Sequence, residues 1–387
     1  MMDASTDGFH FSKHFHVTDG FLYCEGVRIK SLQDSLEDVL DQPSPFYVYS
    51  KQQLADNIDA YKSTLEKLGI KHLLGYAVKA NYNPWILKTV RDRGCTAVTV
   101  NGHETQLALD TGMIGPNIIY NGNGKSRWEL ELAVDNECMI GVDSEFDLRH
   151  IADNVHPYLA TGIGDSKFGL EDKLLNDLLP FIEDDVYLNL VGLHCHLGST
   201  IDNLETFSQC LDVMLDKIEY IKKKGFDNVQ YLSMGGGLGI DYKIHETIPS
   251  PVDLINRVKD RMRMNNDLCL MLEPGRSLVG SAVLLITKVI GCKKNRNKKY
   301  IVVDGSMTEV IRPSMYGAYH HLELVEPTQN VCKQREAFDV VGPVCECADF
   351  LGKDRWLVPP HEGCGLAVFD VGAYCASMGS NYNLRVS

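Results

Sequence analysis

Lys79 ends a short apolar run, Tyr76-Ala-Val-Lys-Ala-Asn81, and a turn follows at once. An amine in that setting can lose its proton and condense with a carbonyl, so Lys79 is the first candidate for covalent chemistry. Four later elements could serve such a step: His194-Cys-His-Leu-Gly-Ser199, Gly235-Gly-Gly-Leu-Gly239, Glu273-Pro-Gly-Arg276 and Cys345-Glu346. Together they suggest an enzyme that holds a phosphorylated aldehyde cofactor on Lys79.

Each element has a plainer reading beside the chemical one. Strand alternation places His194 and His196 on one side, where an imidazole can stack on an aromatic ring. A hydrogen-bonded core pair, or a His-x-His metal site lacking a nearby acidic partner, competes with it. The glycine run can offer consecutive amides to a phosphate, and a tight structural turn competes evenly. Its spacing is not that of the dinucleotide fingerprint. Glu273 could keep a pyridine nitrogen protonated, and Arg276 could clamp a phosphate or carboxylate. Alternatively the two simply pair and seal a barrel. Arg312-Pro-Ser-Met-Tyr-Gly-Ala-Tyr319, Tyr374 and Asn381-Tyr-Asn383 complete the set.

These residues need a scaffold. Short apolar strands are expected at residues 45–49, 72–78, 97–100, 117–120, 139–142, 188–196, 229–234 and 268–272, with amphipathic helices between them. Eight strand-helix units fit a closed (β/α)8 barrel, with the polar clusters just after the strands. After Arg276 the pattern becomes long β-branched runs, at 279–292, 300–303, 338–342 and 365–370, so a mostly antiparallel β domain is expected. The expected organisation is an N-terminal segment, 1–42, packing with the β domain, a barrel over 43–278, and a C-terminal β domain over 279–387.

Composition narrows the function classes. The chain has 387 residues, enough for two domains with cores. A formal charge of −14 argues against a general nucleic-acid binder. No run approaches the ~20 apolar residues of a membrane span. The N-terminus lacks a basic stretch leading into an apolar core and is not Arg-rich, so a cytoplasmic location is expected, with organellar import as the alternative. The 12 cysteines are scattered; Cys345-x-Cys347 alone is a weak zinc signal, so free thiols and no metal are expected.

In this order, the motifs resemble those of the fold-type III pyridoxal-phosphate decarboxylases, in the branch of diaminopimelate decarboxylase. The resemblance runs from about Pro45 to Asn383. It also rests on Asn121-Gly-Asn-Gly-Lys-Ser126, Ser166-Lys-Phe-Gly169 and Gly342-Pro-Val-Cys-Glu346. It implies an alanine-racemase-like barrel in which Lys79 holds pyridoxal 5'-phosphate covalently and His196 stacks on its ring. Ser199, Gly237 and the amides near Gly275 and Arg276 would hold the phosphate, with Tyr374 helping, and Glu273 would face the pyridine nitrogen. Arg276, Arg312 and Tyr316 would bind the carboxylate retained by the substrate. Cys345 and Glu346 would enter the site from a partner subunit, implying a homodimer. There Cys345 would protonate the product and Glu346 would hold the distal amine.

The resemblance has departures. The family usually has Asp where Val98 stands, Ser at Asn101 and Gln at Thr200, and it continues past Ser380-Asn-Tyr-Asn383 with a further strand. Only Leu384 to Ser387 follow here, so the β domain is expected to be shorter or to close differently. The implied reaction is decarboxylation of meso-diaminopimelate to L-lysine. The alternatives are D-lysine, D-ornithine or a carboxylated intermediate as substrate, and a weakly active PLP-binding regulator.

Overall fold

In the computed structural model, the described residues are 12–41, 43–154, 158–161, 170–243, 248–327 and 334–385. The Ser166-to-Gly169 motif lies outside them. The chain divides into two units, one of residues 57–240 with 248–278 and the other of the remainder.

The chain enters the second unit first. Strands β1 (Phe15–Thr18), β2 (Phe21–Cys24) and β3 (Val27–Arg28) form a small antiparallel sheet. Asp19-Gly20 and Glu25-Gly26 turn the chain between them, all four at positive φ. β4 (Phe46–Tyr49) follows.

The helix Lys51–Lys67 then leads to the barrel. Its strands are β5 (His72–Ala77), β6 (Thr96–Thr99), β7 (Ile118–Tyr120), β8 (Met139–Val142), β9 (Tyr158–Thr161), β10 (Asn189–His194), β11 (Tyr231–Ser233) and β12 (Cys269–Leu272). All pair in parallel in chain order, and β12 closes onto β5. The helices between them start on strong local signals. Asn83 accepts from the Trp85 amide ahead of Pro84, and Ser126 with Glu129, like Ser250 with Asp253, makes a reciprocal cap. In the helix Leu204–Lys223, Phe207, Leu211, Met214, Ile218 and Ile221 are buried, one stripe at helical spacing. Within the barrel Val98, Ile119 and Met271 form an apolar layer with Leu73, Met139 and Tyr231.

Six strands make the larger sheet of the other unit: β13 (Val283–Asn295), β14 (Lys298–Val303), β15 (Leu322–Leu324), β16 (Glu336–Val341), β17 (Phe350–Leu357) and β18 (Gly365–Val368). β4 is its seventh strand, antiparallel to β13. Among the described residues, β14 with β16 is the sheet's only parallel pair. Phe15, Val17, Leu22 and Ile29 pack against Leu284, Ile286, Val325 and Phe369 in one core.

Two expectations therefore change. Residues 45–49 do not open the barrel; they join β13. The eighth barrel strand is β9, which the sequence reading passed over. A four-residue apolar run fits either kind of buried sheet, and its partner is set by distant residues.

Candidate active site

The barrel's chemistry-bearing residues stand at or just past the carboxyl ends of its strands. Lys79 lies in a 3-10 turn, Val78–Ala80, directly after β5, and is exposed. The turn is held from outside: the Ala77 amide donates to the Pro274 carbonyl at 3.2 Å, and the Tyr76 hydroxyl to the Asn81 carbonyl at 2.7 Å.

Glu273 follows β12 and is 6% exposed. Three side chains converge on it. Ser233 Oγ donates to Oε1 at 2.7 Å, His194 Nε2 stands 3.2 Å from Oε2, and Asn121 Nδ2 stands 3.3 Å from the same oxygen. Asn121 Nδ2 also lies 3.0 Å from His194 Nε2. Burial pushes the Glu273 carboxyl up, but His194, Ser233 and His196 outweigh it and hold it below the usual range. The result is a buried carboxylate kept ionised. A cavity in the barrel is lined by Asn121, His194, Ser233 and Glu273.

β10 ends at His194, so alternation does not carry through to His196. His194 is half-buried on Glu273, while His196 keeps part of its surface exposed and has the rest of its ring covered by protein. Loss of water around its ring, then the charges of Lys79 and His194, pushes His196 down to about 4. It is a neutral imidazole at pH 7.

The glycine run is a crowded turn. A Cβ on Gly235 would lie 2.5 Å from the Cys195 carbonyl oxygen, one on Gly236 2.3 Å from that of Glu273, and one on Gly237 2.6 Å from that of Gly198. Gly237 also has φ 104°, a conformation side chains disfavour. Beside this turn Arg276 Nη2 donates to Ser199 Oγ at 3.0 Å, and Gly275 is buried. A planar cation, a hydroxyl and close-approach backbone fit an anion such as a phosphate. An ionised carboxylate fits a protonated ring nitrogen. The barrel residues thus suit a pyridoxal phosphate.

The remaining candidates lie in the other unit. Arg312 is buried, with its guanidinium over the Tyr242 ring at 4.8 Å. Asp370 is held up at about 8 by burial and by Asp241, against the pull of Arg312. Tyr374 is half-buried at φ 59°, and Tyr316 is 62% exposed. Cys345 and Glu346 are exposed. Their loop is fixed by Asp349, which accepts from the Val344 amide at 2.7 Å and the Met307 amide at 2.8 Å. Asn383 accepts from the Cys345 amide at 2.7 Å.

Sequence reading quoted Asn121 within a motif but gave it no role, and it missed Ser233 and the His194–Glu273 contact. The available signal was position: Asn121 directly follows β7 and Ser233 ends β11. It also missed the task of Lys125, whose ammonium pairs with Asp147 at 2.6 Å with both side chains fully buried. Two of the departures have local explanations. Val98 belongs to the apolar barrel layer, and Asn101 caps the helix Gly102–Asp110 by accepting from the Glu104 amide at 2.9 Å.

The family described as pyridoxal-dependent decarboxylase, C-terminal sheet domain, matches residues 46–372. The chain is 45% identical over 395 residues to a rice protein named probable diaminopimelate decarboxylase, chloroplastic, covering 95% of this chain and 78% of that one. It is 36% identical over 397 residues to the diaminopimelate decarboxylase of Aquifex aeolicus, covering 97% and 91%. It is also similar to the crystal structure of the Methanocaldococcus jannaschii diaminopimelate decarboxylase in complex with L-lysine, with TM-score 0.89 and 30% identity over 96% of this chain and 91% of that one. The chain belongs to the pyridoxal-dependent decarboxylases.

Proposed function

We propose that this member of the pyridoxal-dependent decarboxylases removes the α-carboxyl of meso-diaminopimelate, giving L-lysine and carbon dioxide. The structural observation that carries the chemistry is Glu273, buried yet held ionised by His194, Asn121 and Ser233. The names of the rice and Aquifex relatives support the substrate.

Pyridoxal phosphate, when bound, supplies an electron sink for the carbon that loses carbon dioxide. The residues of the chain do the rest. Lys79 would hold the cofactor's aldehyde carbon through its amine. Glu273 would keep a proton on the ring nitrogen. His196, neutral at pH 7, would face the ring without adding charge. Ser199, the Gly237 amide, Arg276 and the amides near Gly275 hold the phosphate, with Tyr374. Arg276, Arg312 and Tyr316 hold the retained carboxylate, Glu346 the distal ammonium, and Cys345 delivers the proton to the product carbon.

Cys345, Glu346 and Tyr316 are exposed in the single chain, which supports their serving the site of a second copy in a homodimer. The barrel unit is then the cofactor-binding domain. A cytoplasmic location is the expectation. The chloroplastic naming of the rice relative favours import as its competitor. Imaging the full chain fused to a fluorescent protein separates them.

The deciding experiment measures carbon dioxide release from a panel of diamino acids with both stereoisomers present. Lysine formed from the meso compound is the expected result. Turnover confined to D-lysine or D-ornithine would reassign the substrate. Cofactor binding without any turnover would make the protein a regulatory homologue.

A further inference from the structure

We propose that Glu326, His361 and Cys364 form a binding site for a divalent transition-metal ion, with zinc the preferred occupant. One ligand atom from each residue lies within 4.8 Å of the others. Zinc with sulfur, nitrogen and oxygen ligands needs donors roughly 3.3–3.8 Å apart, so a contraction of about 1 Å closes the set.

Three features point to a cation rather than to chance proximity. Glu326 Oε1 is buried and makes no hydrogen bond. Its ion-pair partner Lys30 Nζ stands off at 3.7 Å and donates instead to Asp34 at 2.7 Å. Cys364 is 1% exposed, so its sulfur sits beside the Glu326 carboxylate out of contact with solvent. A dication there would take the unpaired carboxylate oxygen as a ligand, and the thiol would bind it as a thiolate, releasing its proton to solvent. His361 Nδ1 lies 3.0 Å from the Glu362 carbonyl, which can only accept. Nδ1 therefore carries the proton and Nε2 presents its lone pair, the tautomer a metal requires.

The donors are also well placed by backbone. His361-Glu-Gly-Cys364 is a tight chelating turn, with Gly363 at φ 85° and the Cys364 amide 3.4 Å from the His361 carbonyl. The Gly363 amide and the Cys364 carbonyl each bond to Val289 at 2.8 Å, pinning the turn to β13. Val325, next to Glu326, donates to the Gly365 carbonyl at 3.0 Å. Water would complete the tetrahedron. All of these residues lie in the sheet unit, and none has a role in the proposed reaction. The ion would brace the sheet rather than act on substrate.

The test uses the full-length protein with its pyridoxal phosphate, stripped by a chelator and reloaded with zinc or cobalt. The expected result is one zinc per chain by mass spectrometry, a higher Tm on loading, and a thiolate-to-cobalt charge-transfer band. His361→Gln should bind zinc about tenfold or more weakly, and turnover should not change. Cys364→Ser should remove the cobalt band. Glu326→Gln and His361→Gln keep the test decisive where the buried serine spoils folding. Zinc affinity unchanged in His361→Gln, or no stoichiometric binding by the parent at micromolar zinc, overturns the site. So does a cobalt band that disappears with Cys347→Ser instead.

Discussion

His320 Nε2 stands 2.8 Å from Arg312 Nη1, while His320 Nδ1 stands 2.8 Å from the Phe369 carbonyl. The carbonyl can only accept, so Nδ1 carries the proton and Nε2 must take the hydrogen of the guanidinium. His320 is thereby fixed as a neutral acceptor that aims a buried arginine. His320→Leu should leave that N–H unsatisfied and cost about 1–3 kcal/mol. Urea denaturation measures the loss. Under the proposed substrate role of Arg312, KM should rise more than kcat falls, and His320→Gln, which retains an acceptor, should recover part of both.

Glu273→Gln removes the charge and keeps the shape. The Ser233 hydroxyl still finds an acceptor, so the barrel should fold. If the carboxylate holds a proton on the ring nitrogen, kcat should drop about 10²–10³-fold, with cofactor absorbance retained. A variant with parental kcat rejects that role.

Lys79→Ala leaves the barrel interior untouched, because the side chain is exposed. Borohydride should fix pyridoxal phosphate to the parent chain at Lys79, seen as a mass gain on that peptide. The variant should show no such gain and no turnover. Full activity in Lys79→Ala excludes the proposed site.

Lys125 and Asp147 face each other with no solvent contact. Lys125→Met strands a buried carboxylate and should cost about 3–5 kcal/mol. The double variant Lys125→Met with Asp147→Leu should recover most of that. Thermal unfolding of both variants, read against the parent, checks the sign and the recovery.

Asp370 titrates near 8 in the folded chain, through burial and the neighbouring Asp241 charge. Its folded value is above its unfolded one. Its contribution is therefore fully present below about pH 4 and lost as pH rises toward 8. Asp370→Asn has no proton to lose and tolerates the φ of 58° at that position. Relative to the parent, its Tm should gain between about pH 4 and 8 and level off above that, and a parallel pair of Tm-versus-pH curves refutes the assignment.

Local chemistry was legible without coordinates because each motif sits beside the strand that presents it. Lys79 after β5, the histidine pair at the end of β10, the glycine turn after β11 and Glu273 after β12 all come from contiguous residues whose apolar runs announce a strand and whose polar residue ends it. The barrel's rhythm was legible for the same reason. Pairing was not. β4 left the barrel for β13, and β9 took the eighth place, because strand partners are selected by residues far apart in the chain. Asn121 reaches Glu273 across 152 positions, and Glu326 meets a turn at His361 only when β15 and β18 lie side by side. Residue types and spacing set out the available donors, acceptors and charges. Folding decided which of them meet and which lose contact with water, and that in turn decided that Glu273 stays ionised and His196 stays neutral.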